Sequence, residues 1–399
     1  MKEIIIYIYL NNQFVPAGRL VFDQQSRNAH ALFRYGERYL QRDDAISIDP
    51  MQLPLLPKQF STEPGFDIFN GIRDAGPDRW GRYLLDQKFT YPLDELDYIT
   101  VTGPDRSGAL AFANNIHGIS EVPIKRLDLK LCVDAAEQVL CGEHSLALEE
   151  YLNYGPSLGG ARPKATVMWN NKPYVAKFTL SMDKRNEALI EYATLSLAKK
   201  CGLNVPPIDK AQVSGRDIFL TERFDRIIND DTEHPIPFMS GLTATGMHEQ
   251  DYQQWSYLSL CHAINKFCKN PTQDKIELFK RMVFNILVFN NDDHMRNHGF
   301  IYLGKQKWAL SPLYDVVPSL IHSETYRLSM NIGDQGKAAT LENALSSAKF
   351  FDIAQESAKY IVTELSYQVN NWKSHYQQCG VSAQDNEKLR HSFRDINQL

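Results

Sequence analysis

The chain has 399 residues, 43% apolar and 23% charged, with a net charge of −5. That length exceeds one ordinary hydrophobic core, so two or three packed units are expected in an ordinary globular composition. The mildly acidic balance argues against a broad nonspecific nucleic-acid footprint. None of the six cysteines forms a Cys-x-x-Cys pair, which argues against a zinc ribbon. The apolar stretch 4–10 is too short for a secretory signal, and no apolar run is long enough to span a bilayer. A reducing cytoplasm is therefore the expected compartment, with the cysteines as buried hydrophobes.

In chain order, residues 1–10 read as a strand, Asn11-Asn12 as a turn and Phe14–Phe22 as a second strand. Prolines 50, 54, 57 and 64 mark an extended segment. Asn70–Lys88 reads as helical, with a break at Gly76-Pro77-Asp78. Residues 131–152 read as a helix, followed by the glycine-rich loop Gly155-Pro156-Ser157-Leu158-Gly159-Gly160. Two short strands, Lys164–Trp169 and Tyr174–Thr179, flank an Asn170-Asn171 turn. Asp183 is placed to cap a helix that runs to about Cys201, stopped by Gly202. Strands at 208–213 and 217–222 follow, then helices at 251–268, 272–291 and over most of 338–399. A short hairpin, Gly299–Leu303 and Lys307–Leu310, interrupts them.

Phosphoryl transfer requires backbone over the phosphates, a cation on them, oxygens for a metal and a carboxylate at the nucleophile. Candidates for all four occur in order. Gly155, Gly159 and Gly160 bring backbone N–H groups without side chains, with Ser157 among them. Lys177 lies in a strand between apolar residues, where it either meets an anion or snorkels to water. Glu187 and Glu191 share a helix face; either could hold that lysine, or form a solvated acidic face. The helix ending near Asn291 is apolar nearly all round and delivers Asp292, Asp293, His294 and Asn297 within six residues. The hairpin after it turns the chain back, so Asn297 and Asp315 are expected to converge on one cation with Asp292 nearby. Hard oxygen ligands of this kind suit Mg²⁺. His294 is read as structural.

The run Asn290–Asp315, NNDDHMRNHGFIYLGKQKWALSPLYD, resembles the catalytic segment of HipA-type toxin kinases. SLGGARPK at 157–164 resembles the family's glycine-rich loop, EYATLSLAKKCGLNVP at 191–206 its helix and following turn, and ERFDR at 222–226 its hinge. The resemblance implies an α+β, bilobal kinase-like fold. It implies a β-rich N-terminal subdomain over 1–125, a small lobe over 126–224 and a helical lobe over 225–399. It implies a serine/threonine-protein kinase using ATP and Mg²⁺, with Lys177 on the phosphates and Glu191 as its partner. Glu222–Asp225, with Glu222 and Phe224, would hold adenine, and Asp225 would reach the ribose. Asp292 would be the catalytic carboxylate, and Asn297 and Asp315 the metal ligands. Ser157 would be an autophosphorylation site. A HipB-like helix-turn-helix antitoxin would be a partner, with DNA met only through it. Arg296 stands where the family has lysine, and Arg162-Pro163 differs from some family loops. Two other readings accompany this one: a small-molecule phosphotransferase on a kinase-like fold, and an inactive partner-binding scaffold.

Overall fold

The structure is a computed structural model. It describes residues 2–23, 30–103, 105–116, 126–141, 151, 162–229, 232–320 and 326–393. The chain divides into two compact units. The first comprises Met1–Lys177, Arg223–His248 and Gly304–Gln306; the second comprises Phe178–Glu222, Glu249–Leu303 and Lys307–Leu399.

In the first unit the expected N-terminal hairpin is present. Strands β1 (Lys2–Leu10) and β2 (Gln13–Asp23) pair antiparallel. Asn11 and Asn12 both take positive φ (48° and 63°), the backbone a two-residue hairpin turn needs and asparagine tolerates. With β3 (His30–Tyr35), β4 (Gln59–Ser61) and β5 (Leu110–Ala113) they form a sheet of order β4-β3-β2-β1-β5. Ile4, Ile6, Ile8 and Leu10 alternate along β1 and are all buried, so this strand supplies core at every second residue.

The break predicted at Gly76-Pro77-Asp78 separates a single turn, Asn70–Arg73, from a helix at Arg79–Lys88, whose N-cap Asp78 accepts from the Gly81 N–H. The buried Asp49 carboxylate accepts from the backbone N–H groups of Met51, Gln52 and Gly71. Gly71 has no room for a side chain, because a Cβ there would stand 2.3 Å from the Ile48 carbonyl oxygen. Gly71→Ala is therefore expected to lower stability by about 1–3 kcal/mol, read by urea denaturation.

The helix expected over 131–152 runs over Leu129–Cys141 in the described residues, with Tyr151 helical. After it, β6 (Lys164–Trp169) and β7 (Lys172–Phe178) form the predicted hairpin, its Asn170-Asn171 turn again at positive φ.

The second unit opens with the helix Glu187–Lys200. Its cap differs from expectation: Asn186, not Asp183, is the N-cap, its side chain accepting from the Leu189 N–H. Asp183 instead accepts from the Leu180 N–H and closes the turn before the helix. Asn186→Ala is expected to cost about 1 kcal/mol, readable in thermal unfolding. Gly202 ends this helix at φ 73° as expected. A hairpin of Ile208–Val213 and Arg216–Glu222 follows. The helices Tyr257–Phe267 and Pro271–Leu287 pack on each other, and Gln355–Val369 packs on the second of them. Met282, Val283, Phe284, Ile286 and Leu287 are fully buried, which makes this pair of helices the rigid floor beneath the loop that follows.

Candidate active site

The buried helix stops at Leu287, about one turn before the expected Asn291. The cause is a Schellman closure without glycine. Phe289 takes a left-handed φ of 51°, its N–H bonds the Ile286 carbonyl at 3.3 Å, and the Asn290 N–H bonds the Asn285 carbonyl at 2.9 Å. A bulky residue in that conformation is uncommon and carries strain, and such strain concentrates at functional loops. The Phe289 ring packs edge-on against Tyr326 at 4.9 Å.

The loop that begins here carries the candidate chemistry. Met295–Asn297 forms one 3₁₀ turn, closed by the Asn297 N–H to the His294 carbonyl at 2.8 Å. The Asn297 Nδ2 donates to the Asp292 carbonyl at 3.1 Å. The amide nitrogen is thus occupied by the loop itself, and its oxygen is the atom Asn297 would offer a cation. The strands Gly299–Gly304 and Lys307–Leu310 are neighbours and return the chain as expected. The Ser311 N–H bonds the Gly299 carbonyl at 2.8 Å, and the Tyr314 hydroxyl donates to the Arg296 carbonyl at 2.7 Å. These bonds bring Asp315 beside the loop, on a left-handed backbone with φ 60°.

Asp315 and Asp292 lie within electrostatic reach. The Asp292 carboxyl is pushed above the ordinary range by partial withdrawal from water and by the charges of Asp315 and Asp293, while His294 pulls it down. The Asp292 residue as a whole stays open to solvent. Two neighbouring carboxylates and an amide oxygen are hard donors, and a divalent cation would relieve the repulsion between the acids. Among the described residues no group of three or more His, Cys, Asp or Glu side chains could hold a metal alone. A cation here would complete its shell with Asn297, water and phosphate oxygens, the usual situation of Mg²⁺.

Sequence reasoning named Asp293 without giving it a role and passed over Tyr257 and His298 behind this loop. Asp293 is buried, accepts from the Tyr257 hydroxyl, and meets the His298 Nε2 at 3.0 Å. Burial works against its ionisation, but His298 and the hydrogen bonds from His298 and Tyr257 hold its carboxyl below the ordinary range. Two adjacent aspartates, one of them at the end of an apolar helix, are the sequence signal that could have found it. His294 packs by its ring near Trp255. Arg296 pairs with Glu249 at 2.9 Å.

In the first unit Lys177 is partly exposed on β7, while Ala176 and Phe178 on either side are buried. Its cross-strand partner is Lys164, which is buried and 3.6 Å from the Asp78 carboxylate. That carboxylate offsets one of two like charges that would otherwise repel across the hairpin. In the second unit Glu191 is buried on the helix Glu187–Lys200, whereas Glu187 pairs with Arg185 at 2.7 Å. Ser157, Gly159 and Gly160 lie outside the described residues.

The stretch after Glu222 is built around a buried charge cluster in the first unit. Arg223 pairs with Asp225 at 2.8 Å and with Asp105 at 2.6 Å, and Arg226 pairs with Asp225 at 2.9 Å and Glu233 at 2.8 Å. The Gly108 N–H also donates to Asp225 at 2.8 Å. Both oxygens of the carboxylate expected to reach a ribose are therefore engaged by the protein itself. Burial alone would raise the Asp225 carboxyl, but Arg223 and Arg226 hold it well below the ordinary range. Phe224 lies in this stretch with its ring 6.2 Å from that of Phe238.

Over 360 residues the chain is 23% identical to Y4mE of Sinorhizobium fredii, provisionally named a kinase, covering 82% of this chain and 81% of that protein. It is 24% identical over 280 residues to the serine/threonine-protein kinase toxin HipA of Shewanella oneidensis, covering 63% of each. The Shewanella oneidensis HipA structure, solved with HipB and operator DNA, matches with a TM-score of 0.71 at 17% identity, over 97% of this chain and 94% of that one. That likeness establishes the expected α+β, kinase-like fold of the HipA type. The model of the HipA-like C-terminal domain matches residues 156–373, more than half of the sequence, and the chain belongs to that family.

Proposed function

We propose that this chain is an ATP-dependent serine/threonine-protein kinase of the toxin-antitoxin kind, transferring the γ-phosphoryl group to a serine or threonine hydroxyl of a cellular protein. The observation that carries the reading is the electrostatic proximity of Asp315 to Asp292, which lies on the loop that also holds Asn297. Family membership and relatives named as kinases support it.

In this reading Lys177 binds the donor phosphates and Glu191 serves the same site as its acidic counterpart. The backbone of Glu222–Asp225, including Phe224, holds the adenine, and the arginines around Asp225 keep that stretch in shape. Asn297 and Asp315 would hold Mg²⁺, which when bound supplies charge neutralisation at the phosphates. Asp292 orients the acceptor hydroxyl and takes its proton at a carboxylate oxygen, a task suited to a carboxyl raised above the ordinary range. Gly159 and Gly160 approach the phosphates by backbone N–H groups. Autophosphorylation of Ser157 would add nearly two negative charges to that loop and oppose phosphate binding there.

A HipB-like helix-turn-helix antitoxin is the proposed partner, after the HipB and operator DNA present with the Shewanella protein. DNA is met through it, since this chain is net negative. The proposed compartment is the cytoplasm; among the described residues no helix is long and apolar enough to cross a membrane.

The test compares phosphoproteomes of cells expressing the native chain and Asp292→Ala. Serine or threonine sites phosphorylated only with the native chain are expected, and they name the substrate. Identical phosphoproteomes would end the protein-kinase reading.

A further inference from the structure

The candidate active loop has little regular structure of its own, yet one buried carboxylate ties both of its ends. Asp293 stands next to Asp292, and His298 stands next to Asn297. The imidazole Nε2 of His298 lies 3.0 Å from Asp293 Oδ1 and 3.1 Å from Oδ2, so it faces both oxygens of that carboxylate. A carboxylate only accepts, so Nε2 carries the hydrogen. The other ring nitrogen, Nδ1, is buried with no hydrogen-bond partner. The Asp293 bond is thus the polar contact that sets the ring's orientation.

The third member comes from the floor. Tyr257, the first residue of the helix Tyr257–Phe267, is fully buried and donates its hydroxyl to Asp293. Its ring also meets His298 edge-on at 5.8 Å. On the adjacent helix, Asn285 Oδ1 accepts from the side chain of Asn290 at 3.2 Å. The loop is therefore bolted at 290, 293 and 298 to two helices whose core is fully buried. The residues that carry the chemistry, 292 and 297, are the immediate chain neighbours of two bolts.

We infer that Tyr257, Asp293 and His298 form a positioning lock that sets the spacing of Asp292 and Asn297, and so governs the rate of transfer without touching substrate. This rests on the kinase reading above. Side chains that orient metal-binding and catalytic groups through one intervening residue typically change activity or metal affinity by roughly 10–100-fold when removed. ATP binding draws on other groups, so a lock of this kind acts on kcat more than on the KM for ATP.

Three variants test it in the full-length chain. Tyr257→Phe keeps the ring and removes the hydroxyl. His298→Gln keeps a donor near Asp293, and His298→Ala removes it. With each protein shown folded by circular dichroism, Tyr257→Phe and His298→Ala are expected to lose about 10–100-fold in kcat, with KM for ATP changed less than about twofold. His298→Gln is expected to recover part of that loss. Native-state hydrogen exchange, which needs no activity, is expected to quicken at the amides of 291–298 in Tyr257→Phe while the helix 271–287 keeps its protection. Unchanged kcat in Tyr257→Phe together with unchanged exchange in the loop would overturn the lock and leave the kinase reading standing. Absence of ATP turnover in the native chain would instead strike the kinase reading, and the exchange result would still decide the lock.

Discussion

Asp315→Asn is expected to reduce Mg²⁺-dependent ATP turnover by on the order of 10²–10³-fold while leaving the fold intact. The variant suits this position because Asp315 sits at φ 60°, a conformation asparagine tolerates and most other residues do not. Shape and backbone are kept, and one of two neighbouring charges is lost. The apparent Mg²⁺ requirement should rise in parallel, since a neutral amide is the weaker ligand for a hard cation. Steady-state turnover across a Mg²⁺ titration, with thermal unfolding as the control for folding, reads both effects. Turnover equal to the native chain would remove Asp315 from the chemistry.

The second large effect concerns stability. Arg223→Met is expected to destabilise the protein by about 3–5 kcal/mol. Arg223 is buried and bonds Asp225, Asp105 and the Arg106 carbonyl at once. Its removal leaves two carboxylates in a site closed to water with fewer counter-charges. Arg226 and Arg126 remain, and Arg126 bonds both Asp105 and Glu233. Urea denaturation measures the loss, and a change below about 1 kcal/mol would show the cluster to be redundant.

The same cluster fixes a pH dependence. Asp105 and Asp225 both have carboxyls held below the ordinary range, by Arg223, Arg126 and Arg226 for the first and by Arg223 and Arg226 for the second, against the opposing effect of burial. A depressed folded-state value means that the unfolded chain takes up protons first. The contribution is therefore present above the unfolded aspartate value of about 3.9 and is lost as pH falls below it. Arg223→Met should accordingly lose part of the native chain's acid-dependent loss of stability.

Much of this architecture was legible from local chemistry. Asn11-Asn12 and Asn170-Asn171 announced their hairpins because asparagine accepts left-handed backbone at low cost. Gly202 marked a helix end for the same reason. The Gly304-Lys305-Gln306 connection showed that the chain turns back after Asn297, which is how Asp315 comes to stand by Asp292.

What escaped was decided by tertiary contacts. Phe289 ends its helix although nothing in its chemistry favours left-handed backbone; the packing around its ring and the closure by Asn290 impose it. Asp183 and Asn186 are both good caps, and Asn186 wins where its amide also reaches Asp217. The resemblance implied a ribose-facing part for Asp225. Its actual partners include Gly108, more than a hundred residues away, a pairing that no local pattern reveals. The roles of Asp293 and His298 were hidden similarly, since the tyrosine that completes them lies on a different helix.

The proposed cation site of a nucleotide-using enzyme is Asn297 and Asp315, beside Asp292. It is tested most directly in crystals of the protein grown with Mn²⁺ and a non-hydrolysable ATP analogue, using anomalous scattering to locate the metal. A manganese peak within bonding distance of the Asn297 amide oxygen and the Asp315 carboxylate, and touching phosphate oxygens, is the predicted result. Bound nucleotide with its metal held by other side chains, or no metal at these residues at saturating Mn²⁺, would contradict it.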